Sequence, residues 1–384
     1  MPLLDDMKLI STDDHVIEHP RVWADRLAAA DLAEAPRIVE VPRDSGAPAQ
    51  AWLYEGELHH TTALNAVAGK PREEFGVEPT RYDEIRPGAY DPRARVTDMD
   101  LDGVQAQLCF PTFPRFSGTV FLRGHDKGLA GRCIAAWNDF SIEEWCGAAP
   151  DRLIPLVLLP LWDVDASVSE IDRCAAKGAK AISFPENPAP LGLPSFHTSH
   201  WDPVFAAAQD AGMPLCMHFG SSGRPPHTAA DAPKAVAISL YGVNSMATTS
   251  DLLFSKVFQK FDRLKIALSE GGIGWIPYML ERIDYTWERH RFYTGIDVDQ
   301  RPSELFRRHF WGCYIDDQFG LKNRYDVGVD RITWECDYPH SDSQFPHSRK
   351  HAAEALHDVP DDEAHRIVEL NARELLNFTA DLDA

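Results

Sequence analysis

Eight short apolar runs, each followed by a stretch of helical character, constrain this chain more than any other feature; they lie at 8–12, 104–110, 153–160, 179–184, 214–218, 265–269, 310–315 and 331–336. Strands that alternate with helices imply βαβ units and a parallel sheet. Closing eight of them into a barrel leaves no exposed parallel edge, so the expected fold is α/β, a distorted (β/α)8 TIM barrel. Between the runs, Leu253, Val257 and Phe261 recur at helical spacing, and Pro277 opens an amphipathic stretch through Met279, Ile283 and Trp287. The last helix is read from Asp361, a candidate cap, through Ile367, Leu370, Leu375 and Phe378.

One stretch breaks this rhythm. Residues 32–95, between the first and second strands, are rich in Pro, Gly and charge and read as an insertion over the barrel mouth, serving either as a lid or as a solvated excursion or dimer contact. Trp52 and Tyr54 within it are expected to be exposed, which favours a homodimer. The 384 residues, 44% of them hydrophobic, suffice for one large core, and the whole of 1–384 is read as a single domain.

Charge narrows the partners. With 59 acidic and 38 basic residues the formal net charge is −21, which repels nucleic acid and anionic membranes and leaves a small molecule as the expected partner. No run approaches the roughly 20 apolar residues needed to cross a bilayer, and the start of the chain lacks the basic-then-apolar shape of a secretory leader. A cytoplasmic location is expected. The seven scattered cysteines include no C-x-x-C pair and read as reduced, mostly buried thiols, with Cys216 and Cys336 packing in the core.

The residues capable of chemistry cluster at strand ends. Asp13 and His15 alternate to one side of the first strand, a two-ligand clip. The fifth strand ends in His218, the sixth in Glu270 and the eighth leads into Asp337 and His340. Active sites of such barrels form at this end of the strands. A buried carboxylate needs a cation, a hydrogen-bond network or Arg, and several acids beside two imidazoles make a metal the economical explanation. Glu18 is open between ligating metal, orienting His15 and capping the next segment. Ser221, Ser222 and Arg224 after the fifth strand either bind the substrate's acid or phosphate groups or belong to solvated loops, and Glu186 after the fourth is a further candidate for contact with the substrate.

The ordered combination of DDHVIE at 13–18, WDPVFAAAQDAGMPLCMHFG at 201–220, SEGGIGWIP at 269–277, CDYPH at 336–340 and the late Asn371-Ala372 resembles the amidohydrolase superfamily, nearest to amidohydrolase-related family 2, which includes metal-dependent decarboxylases. The resemblance runs from about Met7 to Phe378 and implies metal ligands at Asp13, His15, His218 and Asp337. Many members carry His-x-His on the first strand where this chain has Asp13 and His15, often His at the position of Glu270, and a bridging carboxylated lysine near Glu186, where no lysine stands. A site richer in carboxylate suits iron or manganese better than zinc.

That substitution pattern resembles the dinuclear oxygenase branch of the superfamily, which includes a diiron monooxygenase of platensimycin-type diterpenoid biosynthesis. It implies two iron ions, or iron and manganese, dioxygen as co-substrate, and hydroxylation of a small or coenzyme A-linked molecule. On that reading Glu18, Glu270 and His340 are catalytic, Glu18 and Glu270 also serving as ligands of the second metal. The alternative is a hydrolase or decarboxylase with one zinc.

Overall fold

The structure, a computed structural model, describes residues 3–43, 46–60, 62–76, 79–223 and 226–380. Strands β1 (Leu9–Val16), β5 (Val104–Pro111), β6 (Leu153–Ile154), β7 (Leu156–Val157), β8 (Ala181–Ser183), β9 (Leu215–His218), β10 (Ile266–Ser269), β11 (Phe310–Tyr314) and β12 (Ile332–Trp334) form one parallel sheet in the order β6-β5-β1-β12-β11-β10-β9-β8-β7, while β2 (Arg37–Pro42), β3 (Pro48–Tyr54) and β4 (Glu57–His59) form a separate antiparallel one. Each expected apolar run overlaps a strand, β1 running on past 12 to Val16, and 153–160 contains two. Pro155 separates β6 from β7, because proline has no N–H to give to a ladder. β6 pairs with β5 and β7 with β8, while Lys180 and Ala181 both donate to the Pro155 carbonyl at 2.9 and 3.3 Å. The two edges of the sheet are thus one interrupted strand, and the barrel closes through it.

The end of the barrel away from the strand C-termini is sealed by the last helix, Asn371–Leu376. Its Ala372, Leu375 and Leu376 pack with Ile10, Ala106 and Trp311 from the strands. Asn371 donates through Nδ2 to the carbonyls of Val329 and Ile332 at 2.8 and 2.7 Å, tying the helix to the start of β12. This run begins as a helix at Asp361–His365 and widens to a π turn at Arg366–Leu370. Asp361 is its first residue and makes no capping bond; Pro360 precedes it. All seven cysteines are buried and unpaired. Among the described residues no helix is long and apolar enough to cross a membrane.

The insertion folds against the mouth. β3 turns into β4 through Glu55 and Gly56, both with positive φ (47° and 79°), as a two-residue hairpin turn requires. Trp52 and Tyr54 are buried, correcting the expectation of exposure: Trp52 meets Trp23 edge-on at 5.1 Å and lies 4.9 Å from Phe113, and Tyr54 meets Phe121. The backbone N–H groups of Val67 and Ala68 donate to the Pro339 carbonyl, and Ile17 N–H donates to Ala89. The helix Pro92–Asp102 then begins under a cap from Asp91 and buries Arg95 completely.

Arg95 binds three parts of the mouth together. Its guanidinium donates to the carbonyls of His15 (2.5 Å) and Gly88 (2.6 Å) and to Gln107 (3.0 Å), and it lies 4.3 Å above the Tyr338 ring. Arg95→Ala would leave buried acceptors without donors. It is expected to lower unfolding stability by about 3 kcal/mol or more in chemical denaturation, whereas a loss under about 1 kcal/mol would contradict this role.

Candidate metal centre

Strand geometry brings the site together. On β1, Asp13 and His15 point to the same side, two residues apart. The segment after β12 is zipped onto them: Asp337 N–H donates to the Asp13 carbonyl at 2.9 Å and His15 N–H to that of Tyr338 at 2.8 Å. His218 ends β9 and lies opposite Ser269 of β10, so Glu270 emerges beside it. Glu270 and Asp337 adopt the left-handed backbone region (φ 56° and 55°), as does Arg115 (φ 63°) on the facing wall. Non-glycine residues held in such conformations cost of order 1–3 kcal/mol each and concentrate at functional sites.

The side chains converge. His15 Nε2 lies 3.6 Å from Asp13 Oδ1 and 3.1 Å from Asp337 Oδ1, and His218 Nε2 lies 3.5 Å from Asp13 Oδ2 and 3.3 Å from Glu270 Oε2. His340 stacks on His15 at 3.9 Å and places Nδ1 2.9 Å from Asp337 Oδ1. His218 directs Nδ1 to the Phe219 carbonyl at 2.6 Å, which turns Nε2 inward. Asp13, His15 and His218 are fully buried, while Glu270 keeps 12% exposure toward the mouth.

Electrostatics define what is missing. Burial, followed by repulsion from Glu335, Asp337 and Glu270, pushes the Asp13 carboxyl well above its ordinary range. Glu270 is raised likewise by burial and then by Asp337. Burial opposes charge at Asp337 too, yet the adjacent His340 and His15 hold that carboxyl well below the usual range. His15 is lowered by burial and then by His340, and His218 falls to about 4 through burial, so both imidazoles are neutral, the form that binds metals. Both Asp13 oxygens, the Nε2 atoms of His15, His218 and His340, and Asp337 Oδ2 are buried without hydrogen-bond partners. Crowded acids, neutral imidazoles and unpartnered donor atoms fit a divalent cation.

Other expected residues sit elsewhere. Glu18 accepts from the Thr112 and Phe113 N–H groups at 3.0 and 2.7 Å and from the Trp137 indole at 2.9 Å, with its carboxyl raised to about 7 by burial against these bonds. Its oxygens brace β1 to the segment after β5, and Glu18 is not in the clusters of side chains placed to hold a metal among the described residues. Glu186 Oε1 accepts from Gly220 N–H, Ser222 Oγ and Asn244 Nδ2, and its own N–H donates to Ser221 Oγ. Glu186, Ser221 and Ser222 therefore anchor the turn after His218 from beneath, and none is among the described residues lining the cavity over the cluster. Arg224 lies outside the described residues.

That cavity, of about 470 Å³, has Glu270, Asp337 and His340 on its floor, Phe116, Phe219 and Tyr241 on its walls, and Arg115 and Arg123 at one side. The insertion contributes Leu64 and Asn65, whose side-chain amide meets the Ser341 hydroxyl at 2.7 Å. The sequence reading missed the two arginines, for which no local pattern exists. It also missed Glu335, which accepts from the Glu270 N–H at 3.1 Å and from the Cys313 thiol and is raised to about 8 by burial. Its position one residue past β12 was a usable signal.

His218→Ala and Asp337→Ala are each expected to weaken manganese binding more than about 100-fold, with the far-ultraviolet circular dichroism preserved. Full occupancy of either variant by elemental analysis would refute the assignment.

A family model described as Amidohydrolase matches residues 58–378. A curated relative, the 2-amino-3-carboxymuconate-6-semialdehyde decarboxylase of Dictyostelium discoideum, is 23% identical over 266 residues, covering 67% of this chain and 69% of that protein. Among solved structures, an amidohydrolase of Mycobacterium avium subsp. paratuberculosis K-10 gives a TM-score of 0.76 at 21% identity, covering 97% of this chain and 100% of that one. A 5-carboxyvanillate decarboxylase of Novosphingobium aromaticivorans, complexed with manganese and 4-hydroxy-3-methoxy-5-nitrobenzoic acid, gives 0.65 at 18% identity, covering 97% and 96%. These findings overturn the expectation of a dinuclear iron monooxygenase. The proteins named here by activity are decarboxylases, and nothing among them supports two irons, dioxygen or a coenzyme A thioester. Glu18, expected as a ligand of the second ion, is instead hydrogen-bonded to two backbone N–H groups and an indole. The match across residues 58–378 establishes that this chain belongs to the amidohydrolase family, within amidohydrolase-related family 2.

Proposed function

We propose that the protein is a metal-dependent decarboxylase of a small aromatic or conjugated carboxylic acid. The observation that carries this reading is a buried two-imidazole, two-carboxylate cluster whose open side faces an aromatic-walled cavity bearing two arginines. Both proteins named above by activity remove a carboxyl group from a conjugated acid.

Asp13, His15, His218 and Asp337 would hold one divalent cation, and manganese is the first to test. Bound there, it would supply Lewis-acid polarisation of the substrate's oxygens. The rest falls to the side chains. Arg115 and Arg123 draw an anionic substrate into a chain of net charge −21. Phe116, Phe219 and Tyr241 flank its flat body, and Glu270, on the cavity floor, is the proton donor to its reacting carbon; burial and then Asp337 push that carboxyl well above its ordinary range. The bond to the carboxylate breaks with its electron pair left on that carbon, which takes the Glu270 proton as carbon dioxide departs. Glu270 is then reprotonated from solvent through the open mouth. His340 holds Asp337 through Nδ1 and keeps it ionised.

Manganese-loaded protein is expected to release one carbon dioxide per acid consumed from ortho-hydroxybenzoic acids under argon, and a chelator should abolish it. Turnover that requires oxygen, or no carbon dioxide from any of them, would contradict the reading. Glu270→Gln should keep its manganese but lower kcat by about 100-fold or more. Activity within a factor of about two of the parent in a stopped assay would remove Glu270 from proton transfer.

A further inference from the structure

The cavity over the acid floor continues past its aromatic wall. Asn65, Phe219, Ile238, Tyr241 and Ser341 line it on one side and line a second cavity, of about 550 Å³, on the other. Phe219 and Tyr241 stand at this boundary, stacked with centroids 3.8 Å apart. The chemistry changes across it. The first chamber holds Glu270, Asp337, His340 and both arginines, whereas the second is walled by Phe75, Ala232, Pro233, Val236 and Ala237, with Lys234, His227 and Thr228 its polar side chains beyond those shared, and has no carboxylate among its described lining residues. In so acidic a chain an acid-free wall is informative.

The wall belongs largely to the short helix Lys234–Ile238, which buries none of its residues fully, and Ile238 is 49% exposed. Apolar side chains beside a reaction chamber and left uncovered by the described residues are a surface that an apolar ligand would cover. Pockets of roughly 300–1,000 Å³ hold drug-sized ligands, so the first chamber alone accommodates a single-ring acid. The second is then surplus to such a substrate.

We propose that the substrate is an extended amphipathic acid, with its carboxylated head over the metal cluster and an apolar arm lying past Phe219 and Tyr241 under the 234–238 helix. This rests on the carboxylate-binding reading above and deepens it by naming the second half of the molecule. The arm gains affinity through its buried hydrocarbon, while the head alone meets the reacting groups.

The test is calorimetric titration of the manganese-loaded full-length protein with salicylate and with its 4-hexyl and 5-hexyl derivatives. At least one hexyl isomer is expected to bind about tenfold or more tighter than salicylate. Ala237→Trp and, separately, Ala232→Trp fill the second chamber from two positions, and each is expected to collapse that ratio to about twofold or less. Equal affinities in the parent, or a preference that survives both substitutions, would overturn the arm and leave the head site standing. Binding of none of the three acids would overturn the head-site reading and the arm with it.

Discussion

Asp13, Glu270, Glu335 and Asp337 bring four carboxyl groups into one end of a barrel, all but Glu270 buried, beside the imidazoles of His15, His218 and His340. Unneutralised charge in such a place costs several kcal/mol per group. Protonation relieves part of the conflict, as the raised carboxyls of Asp13 and Glu270 record. A divalent cation would relieve more, because it would bind the donor atoms left unpartnered at Asp13, His15, His218 and Asp337.

Much of the surrounding structure holds this arrangement open. The bonds joining Asp337 to Asp13 and Tyr338 to His15 fix the spacing between β1 and the segment after β12. Asp14, next to the site, accepts from Gln107 Nε2 and from Tyr338 N–H, while Arg95 crosses behind to the His15 carbonyl. Glu186 does the same service for the turn that follows His218. Side chains supported in this way keep their ligand atoms within the narrow tolerance that metal binding and proton transfer demand. The left-handed backbones of Glu270 and Asp337 are the strained points that the scaffold sustains.

The parts legible in the sequence were those governed by local period. Alternation on β1 placed Asp13 and His15 on one side, and apolar runs ending in His218, Glu270 and Asp337 marked the mouth. Closure followed from eight strands, although the break at Pro155 was hidden because an apolar run conceals which neighbour each half will pair with. Polar residues just past strand ends were ambiguous: Glu18 and Glu186 carry the same local signal as a ligand, and only distant partners such as Trp137 and Asn244 show that they brace loops. Trp52 and Tyr54 were misread for the same reason, since Trp23, Phe113 and Phe121 that cover them are remote in the chain. The oxygenase expectation failed because ligand type alone constrains a metal more tightly than it constrains a reaction.

Crystals of the manganese-loaded protein, with diffraction recorded on both sides of the manganese absorption edge, test the central claim most directly. One anomalous peak within bonding distance of Asp13, His15, His218 and Asp337 is the expected result. A peak among other residues, or a cluster whose acids pair only with protein donors at full manganese concentration, would contradict it.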